Sequence, residues 1–190
     1  PDEILTRPGL RGRLRRFLPY GAAAAEPTPV PAATRRGGEK IEAPLDIVDP
    51  AALEQRLNRA MDLGDAQAQR AEILAALREA LAAGRAAIRR RFVEEAGSAD
   101  ACVAETAWLM DVLIGALASL TVSRLFPVSN PTVGERFAVA SVGGYGRGEL
   151  APCSDLDVVL VADEHTDVGP VAAKVWYPLW DSGARLDHAV

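Results

Sequence analysis

The sequence predicts an α+β fold in which a helical N-terminal region packs on a sheet that is incomplete at the C-terminus. Three observations predict it. Apolar residues recur at helical spacing from Pro50 to about Phe126, short apolar runs follow from Phe137, and the turn Val142-Gly143-Gly144-Tyr145-Gly146 separates two of those runs.

Residues 1–50 differ in composition from the rest. Arg11-Gly12-Arg13-Leu14-Arg15-Arg16 is a short basic cluster, Gly21 to Pro31 is built largely of Ala and Pro, and Arg35-Arg36-Gly37-Gly38 follows. Such a stretch buries too little apolar surface to offset the entropy of ordering, so it is read as a mobile extension, its basic cluster a solvated tail in preference to a contact for a membrane surface or nucleic acid.

Residues 51–127 form the predicted helical region. Asp49-Pro50 is a helix start, and Leu53, Leu57, Ala60, Met61, Ile73, Leu74, Leu77, Leu81 and Ile88 mark the buried stripe. Gly97-Ser98-Ala99-Asp100 reads as a stop and restart. A second long helix is expected from Ala101 to Phe126, burying Trp108, Leu109, Val112, Leu113, Ala116, Leu117 and Leu120. The pair is expected to form a hairpin against the sheet, because the stripe is too broad and interrupted for the heptads of a coiled coil.

Residues 128–190 begin the sheet domain. A strand over Phe137 to Val142, a strand over Asp155 to Ala162, an acidic turn over Asp163 to Asp167, a helix over Val168 to Asp181 and a short strand over Arg185 to Val190 follow in order. Trp176, Tyr177 and Trp180 share one helical side and are expected in the core. His165 and His188 are not spaced to share a metal and are read as solvated.

The chemistry concentrates between Gly143 and Asp157. Asp155 and Asp157 are two apart on the predicted strand, so both carboxylates point to one face while Leu156 and Val158 point to the other. Like charges so close repel unless a cation or proton neutralises them, and Mg2+ fits because it binds through one or two carboxylates plus substrate phosphates. Gly143 and Gly144 permit a tight turn and close backbone approach, so their N–H groups can cradle phosphate oxygens. Arg147 adds a cation where a short helix can begin, or pairs with Glu149 or Asp181; Ser154 assists, or simply caps a turn.

An apolar residue, Gly-Gly, ten residues and then Asp-Leu-Asp-Val resembles the signature of the polymerase-β-like nucleotidyltransferases. Within that superfamily, Gly-Gly-Tyr-Gly-Arg-Gly-Glu-Leu-Ala-Pro, Ser-Asp-Leu-Asp, the stretch Trp176 to Gly183 and Leu186-Asp187-His188-Ala189-Val190 are similar to the bacterial PII uridylyltransferase/uridylyl-removing family. The resemblance covers about residues 70 to 190 and is most specific at the motif. It implies a nucleotidyltransferase sheet, with Gly143, Gly144, Arg147 and Ser154 binding the nucleotide and Asp155 and Asp157 acting as catalytic, Mg2+-holding acids.

The resemblance also implies transfer of a nucleoside monophosphate, UMP by family default, from a nucleoside triphosphate (UTP or ATP) to a tyrosine of a PII nitrogen-signalling protein, with release of pyrophosphate. Full-length members also remove the group through a metal-dependent hydrolase domain and sense glutamine through regulatory domains. Neither domain is in this stretch. An adenylyltransferase on the same partner, another nucleotidyltransferase with a different acceptor hydroxyl, and a non-catalytic nucleotide sensor are the alternatives. The superfamily's third carboxylate is expected beyond Val190, with Asp187 the lesser candidate. The chain begins with Pro1 and ends in an apolar run, so a fragment is expected.

The remaining composition narrows the class. A formal charge of -5 disfavours a general nucleic-acid binder. Cys102 and Cys153 have no metal-ligand spacing and are expected as free thiols. No run approaches the roughly 18 apolar residues that span a bilayer, and no signal-peptide pattern opens the chain, so a cytoplasmic protein with no membrane partner is expected.

Overall fold

The computed structural model describes residues 44–125, 137–162 and 169–189. The predicted extension up to residue 43, the acidic turn with His165, and Phe126 lie outside the described residues. Pro44 to Asp49, assigned by composition to the extension, is packed: Pro44, Ile47 and Val48 are buried.

Helix α1, Pro50–Met61, starts as its sequence dictates. Asp49 accepts from the Ala51 and Ala52 amides at 2.9 and 3.1 Å, and Pro50 occupies the first turn, where its missing N–H costs nothing. The apolar stripe does not run on unbroken. Asp62 to Asp65 form a corner, and α2, Ala66–Val93, begins with Asp65 accepting from Ala68 N at 2.7 Å.

Three helices therefore replace the expected pair. The Gln69 amide closes the corner by donating to Met61 O and Leu63 O at 3.1 and 2.7 Å, and Arg56 on α1 pairs with Glu72 (2.7 Å) and Glu79 on α2. Helix α2 stops where Ala96 takes a left-handed φ of 53° and Gly97 N donates back to Arg91 O at 2.9 Å.

Helix α3, Ala99–Leu120, is capped by Ser98 Oγ, which accepts from Ala101 N at 3.1 Å, and ends in a π-helical turn, Thr121–Leu125. Every residue expected on its buried side is buried. By length and composition Ala99–Leu125 is apolar enough to cross a membrane, contrary to the expectation from sequence. Burial accounts for that apolarity, since Trp108, Leu109, Leu113 and Leu117 are at most 1% exposed inside the fold.

The sheet has three strands in the order β1-β2-β3, with β1 Phe137–Ser141 antiparallel to β2 Leu156–Ala162 and β3 Leu186–Ala189 parallel to it. A one-turn helix, α4 Gly143–Gly146, follows β1, and α5, Gly169–Ser182, leads into β3. Leu156, Val158 and Leu160 point into the core, while Asp157 and Val161 lie on the opposite, more open face.

Helix α5 is pinned twice within its last turn. Arg78 of α2 donates to Asp181 O at 3.0 and 2.8 Å, a cation on a helix C-terminus, and Trp180 Nε1 donates to Leu186 O at 3.1 Å. Trp176 is buried and Trp180 packs against the core, but Tyr177 is 61% exposed. Tyr177 thus departs from its expected place, because the helix turns it away from the sheet. His188 is exposed, with its ring 6.0 Å from that of Trp176 and 5.0 Å from that of Trp180.

One continuous core runs through helices and sheet. It contains Leu57, Leu77 and Leu113 from the helical region together with Val139, Leu156, Leu160 and Trp176.

Candidate active site

The glycine turn and the second acid meet. Gly143 has a left-handed φ of 59°, and a Cβ at this position would collide with the Asp157 carboxylate. Only glycine leaves room for that oxygen beside the backbone. The strand holds its side of the contact, since Val142 N donates to Asp157 O at 2.9 Å.

Gly146 is constrained from the other side: a Cβ there would lie 2.5 Å from Ser141 O. The turn is closed by Gly146 N on Val142 O (2.7 Å) and Glu149 N on Gly144 O (2.9 Å). Helix α4 therefore begins at the glycines themselves, and Arg147 is its C-terminal cap rather than the start of a later helix.

Arg147 folds back over this turn. Its Nη1 donates to Gly143 O at 2.9 Å and its Nε to Glu149 at 3.0 Å, so of the two expected pairings the one with Glu149 is formed. The pair is exposed, and such pairs are worth about 0–1 kcal/mol, so a phosphate can compete for the guanidinium at little cost.

Asp155 precedes β2 and is exposed, whereas Asp157 is the second residue of β2 and half-buried. Asp155 thus stands one step outside the strand that was expected to carry both acids. Ser154 is exposed, and its N–H donates to Ala151 O at 3.0 Å in the connecting loop. Together with Cys153, which has a left-handed φ of 67°, Ser154 lines a cleft of about 440 Å³ between that loop and helices α2 and α3. The cleft has Ile88, Leu109 and Met110 on its walls and Arg85, Arg89 and Arg185 among its lining.

The register adds an acid that sequence ranked low. Asp187 on β3 is the Cα partner of Asp157 on β2, so the two share the open face of the sheet. No group of three or more potential metal ligands is formed among the described residues.

Two further residues carry the site without having been singled out from sequence. Tyr145, the one side chain within α4, is 2% exposed, and its hydroxyl donates to Asp111 Oδ1 of α3 at 2.9 Å. The available signal was an acid alone inside the apolar run Leu109-Met110-Asp111-Val112-Leu113, because a buried carboxylate requires partners. Both cysteines are free, as expected; burial, then Glu105, pushes the Cys102 thiol up from its ordinary value, while Cys153 is exposed.

The chain is 40% identical over 153 residues to the bifunctional uridylyltransferase/uridylyl-removing enzyme of Rhodospirillum rubrum, covering 79% of the chain and 16% of that enzyme. It is a relative of the bifunctional uridylyltransferase/uridylyl-removing enzymes. The enzyme of that name from Azospirillum brasilense is 46% identical over 123 residues, covering 64% of the chain and 13% of the enzyme. The match thus spans about one sixth or less of the length of these enzymes. No family model and no solved structure matches the chain.

Proposed function

We propose that the protein containing this chain is a nucleotidyltransferase that moves a nucleoside monophosphate, UMP by the default of its relatives, from a nucleoside triphosphate to a tyrosine hydroxyl of a PII signal protein, releasing pyrophosphate. The observation that carries this reading is the contact between the Asp157 carboxylate and the bare backbone of Gly143. A turn of bare backbone and an acid able to hold a cation lie side by side there. The relatives, named for uridylyl transfer and removal, supply the nucleotide and the reaction class.

The donor set fits Mg2+. Asp157, with Asp155 one step before the strand and Asp187 beside it in the register, offers hard carboxylate oxygens, and Mg2+ needs only one or two of these besides substrate phosphates. When bound, Mg2+ supplies charge neutralisation to the triphosphate and its pyrophosphate leaving group. The chain's own residues bind and orient: backbone at Gly143 and Gly144 receives phosphate oxygens, Arg147 exchanges Glu149 for phosphate, and Asp157 stays fixed by its strand pairing.

The test uses the full-length enzyme with labelled UTP or ATP, Mg2+ and the PII protein. Label is expected on the PII protein from UTP, and to vanish with Asp155→Asn or Asp157→Asn while the melting temperature is kept. Transfer from ATP alone would make it an adenylyltransferase. Nucleotide binding without transfer to any acceptor would sink the enzymatic reading.

A further inference from the structure

We infer that Asp111 and Tyr145 form a positioning pair through which the helical region sets the phosphate-facing turn against Asp157. The inference rests on the proposed nucleotidyl transfer and deepens it, because neither residue reaches substrate.

The reason lies in the composition of α4. Its four residues are Gly143, Gly144, Tyr145 and Gly146, so three of them offer no side chain by which the turn could be held. Glycine has the largest backbone freedom to lose, and such a turn is poorly ordered by itself. Val142, the residue preceding α4, makes no side-chain cap. Arg147 reaches the turn from its exposed side, through Gly143 O; within α4 itself Tyr145 is the one side-chain handle, and it points away from solvent into the helical core.

The handle is gripped at a fixed point. Asp111 is fully buried in the middle of α3, where Trp108, Leu109, Val112 and Leu113 lock the helix in place. A carboxylate at such a position is costly unless its oxygens are bonded, and the Tyr145 hydroxyl supplies one bond at 2.9 Å. Moving the turn outward would break that bond inside the core. The turn is thereby held within the narrow tolerance that catalysis demands, and the Gly143 backbone stays against Asp157.

Tyr145→Phe in the full-length enzyme is the primary test, since it keeps the ring and removes only the hydroxyl. KM for the nucleoside triphosphate is expected to rise roughly five- to tenfold with kcat changed less than about twofold, the signature of lost ground-state positioning. Hydrogen exchange of the unliganded protein should quicken at the amides of residues 143–149 in Tyr145→Phe and stay unchanged in the rest of the core.

An unchanged KM together with unchanged exchange at the turn would overturn the pairing. So would a uniform rise in exchange across α3 and the sheet, which would make the bond merely structural. Exchange reads the pair without any turnover, so a failure of the proposed transfer reaction remains distinguishable from a failure of this inference.

Discussion

Gly143 shows how much chemistry one missing methyl carries. Its left-handed φ of 59° costs a side-chain-bearing residue about 1–2 kcal/mol, and a Cβ would additionally displace the Asp157 carboxylate. Gly143→Ala is therefore expected to lower stability by about 1–2 kcal/mol and nucleotidyl transfer by about 100-fold, since small misplacements at a reacting centre are amplified. Urea denaturation and initial rates measure the two effects separately. A loss of stability with full activity would show that the carboxylate does not need its place beside the turn.

The residue scale also shows where sequence reasoning stops. The motif spacing brought Gly143 and Asp157 together in advance, because strand alternation and the turn are local rules. The Glu149 partner of Arg147 was equally local. Asp111 and Tyr145 lie 34 positions apart, and nothing local says that an acid in one helix meets a phenol in a distant turn.

At the scale of elements, capping residues made the helix starts legible. Asp49 with Pro50 and Ser98 mark the beginnings of α1 and α3 as expected. The corner at Asp62 to Asp65 was missed although it left a signal: the apolar stripe lapses after Met61 and resumes at Ile73 on a different side of a continuous helix, with Gly64-Asp65 in the gap. Asp65 and the Gln69 amide, which bonds two carbonyls of the corner, decide it.

The segment leading into α1 offers a pH-dependent test. Asp46 pairs with Arg91 on α2, and the guanidinium holds its carboxyl below the ordinary value of 3.8. A depressed folded value means that the stabilisation is fully present above the unfolded value and is lost as pH falls through the folded one. Asp46 is half exposed, so the pair is worth under about 1 kcal/mol. Asp46→Asn should lower stability slightly at pH 7 and leave it unchanged near pH 2, as followed by chemical denaturation. An equal loss at both pH values would assign the effect to packing.

For the molecule as a whole, the shared core predicts a single transition. Trp108 in α3 and Trp176 in α5 belong to one apolar cluster with the strands, so helical region and sheet have no seam along which to separate. Far-UV circular dichroism and tryptophan fluorescence should melt together. Trp108→Ala, which removes a side chain 1% exposed, should cost about 3–5 kcal/mol and shift both signals equally. Two separated transitions would divide the molecule into independent units.

By itself the sequence determined the α+β class, the order of the elements after α3 and the neighbourhood of Gly143 with Asp157, because capping, alternation and glycine turns act over a few residues. The tertiary structure alone decided that Asp187 stands beside Asp157, that Tyr177 faces solvent and that Asp111 holds Tyr145. Strand register, helix rotation and buried hydrogen bonding each depend on how distant segments fill one core, and no short stretch of residues contains that information.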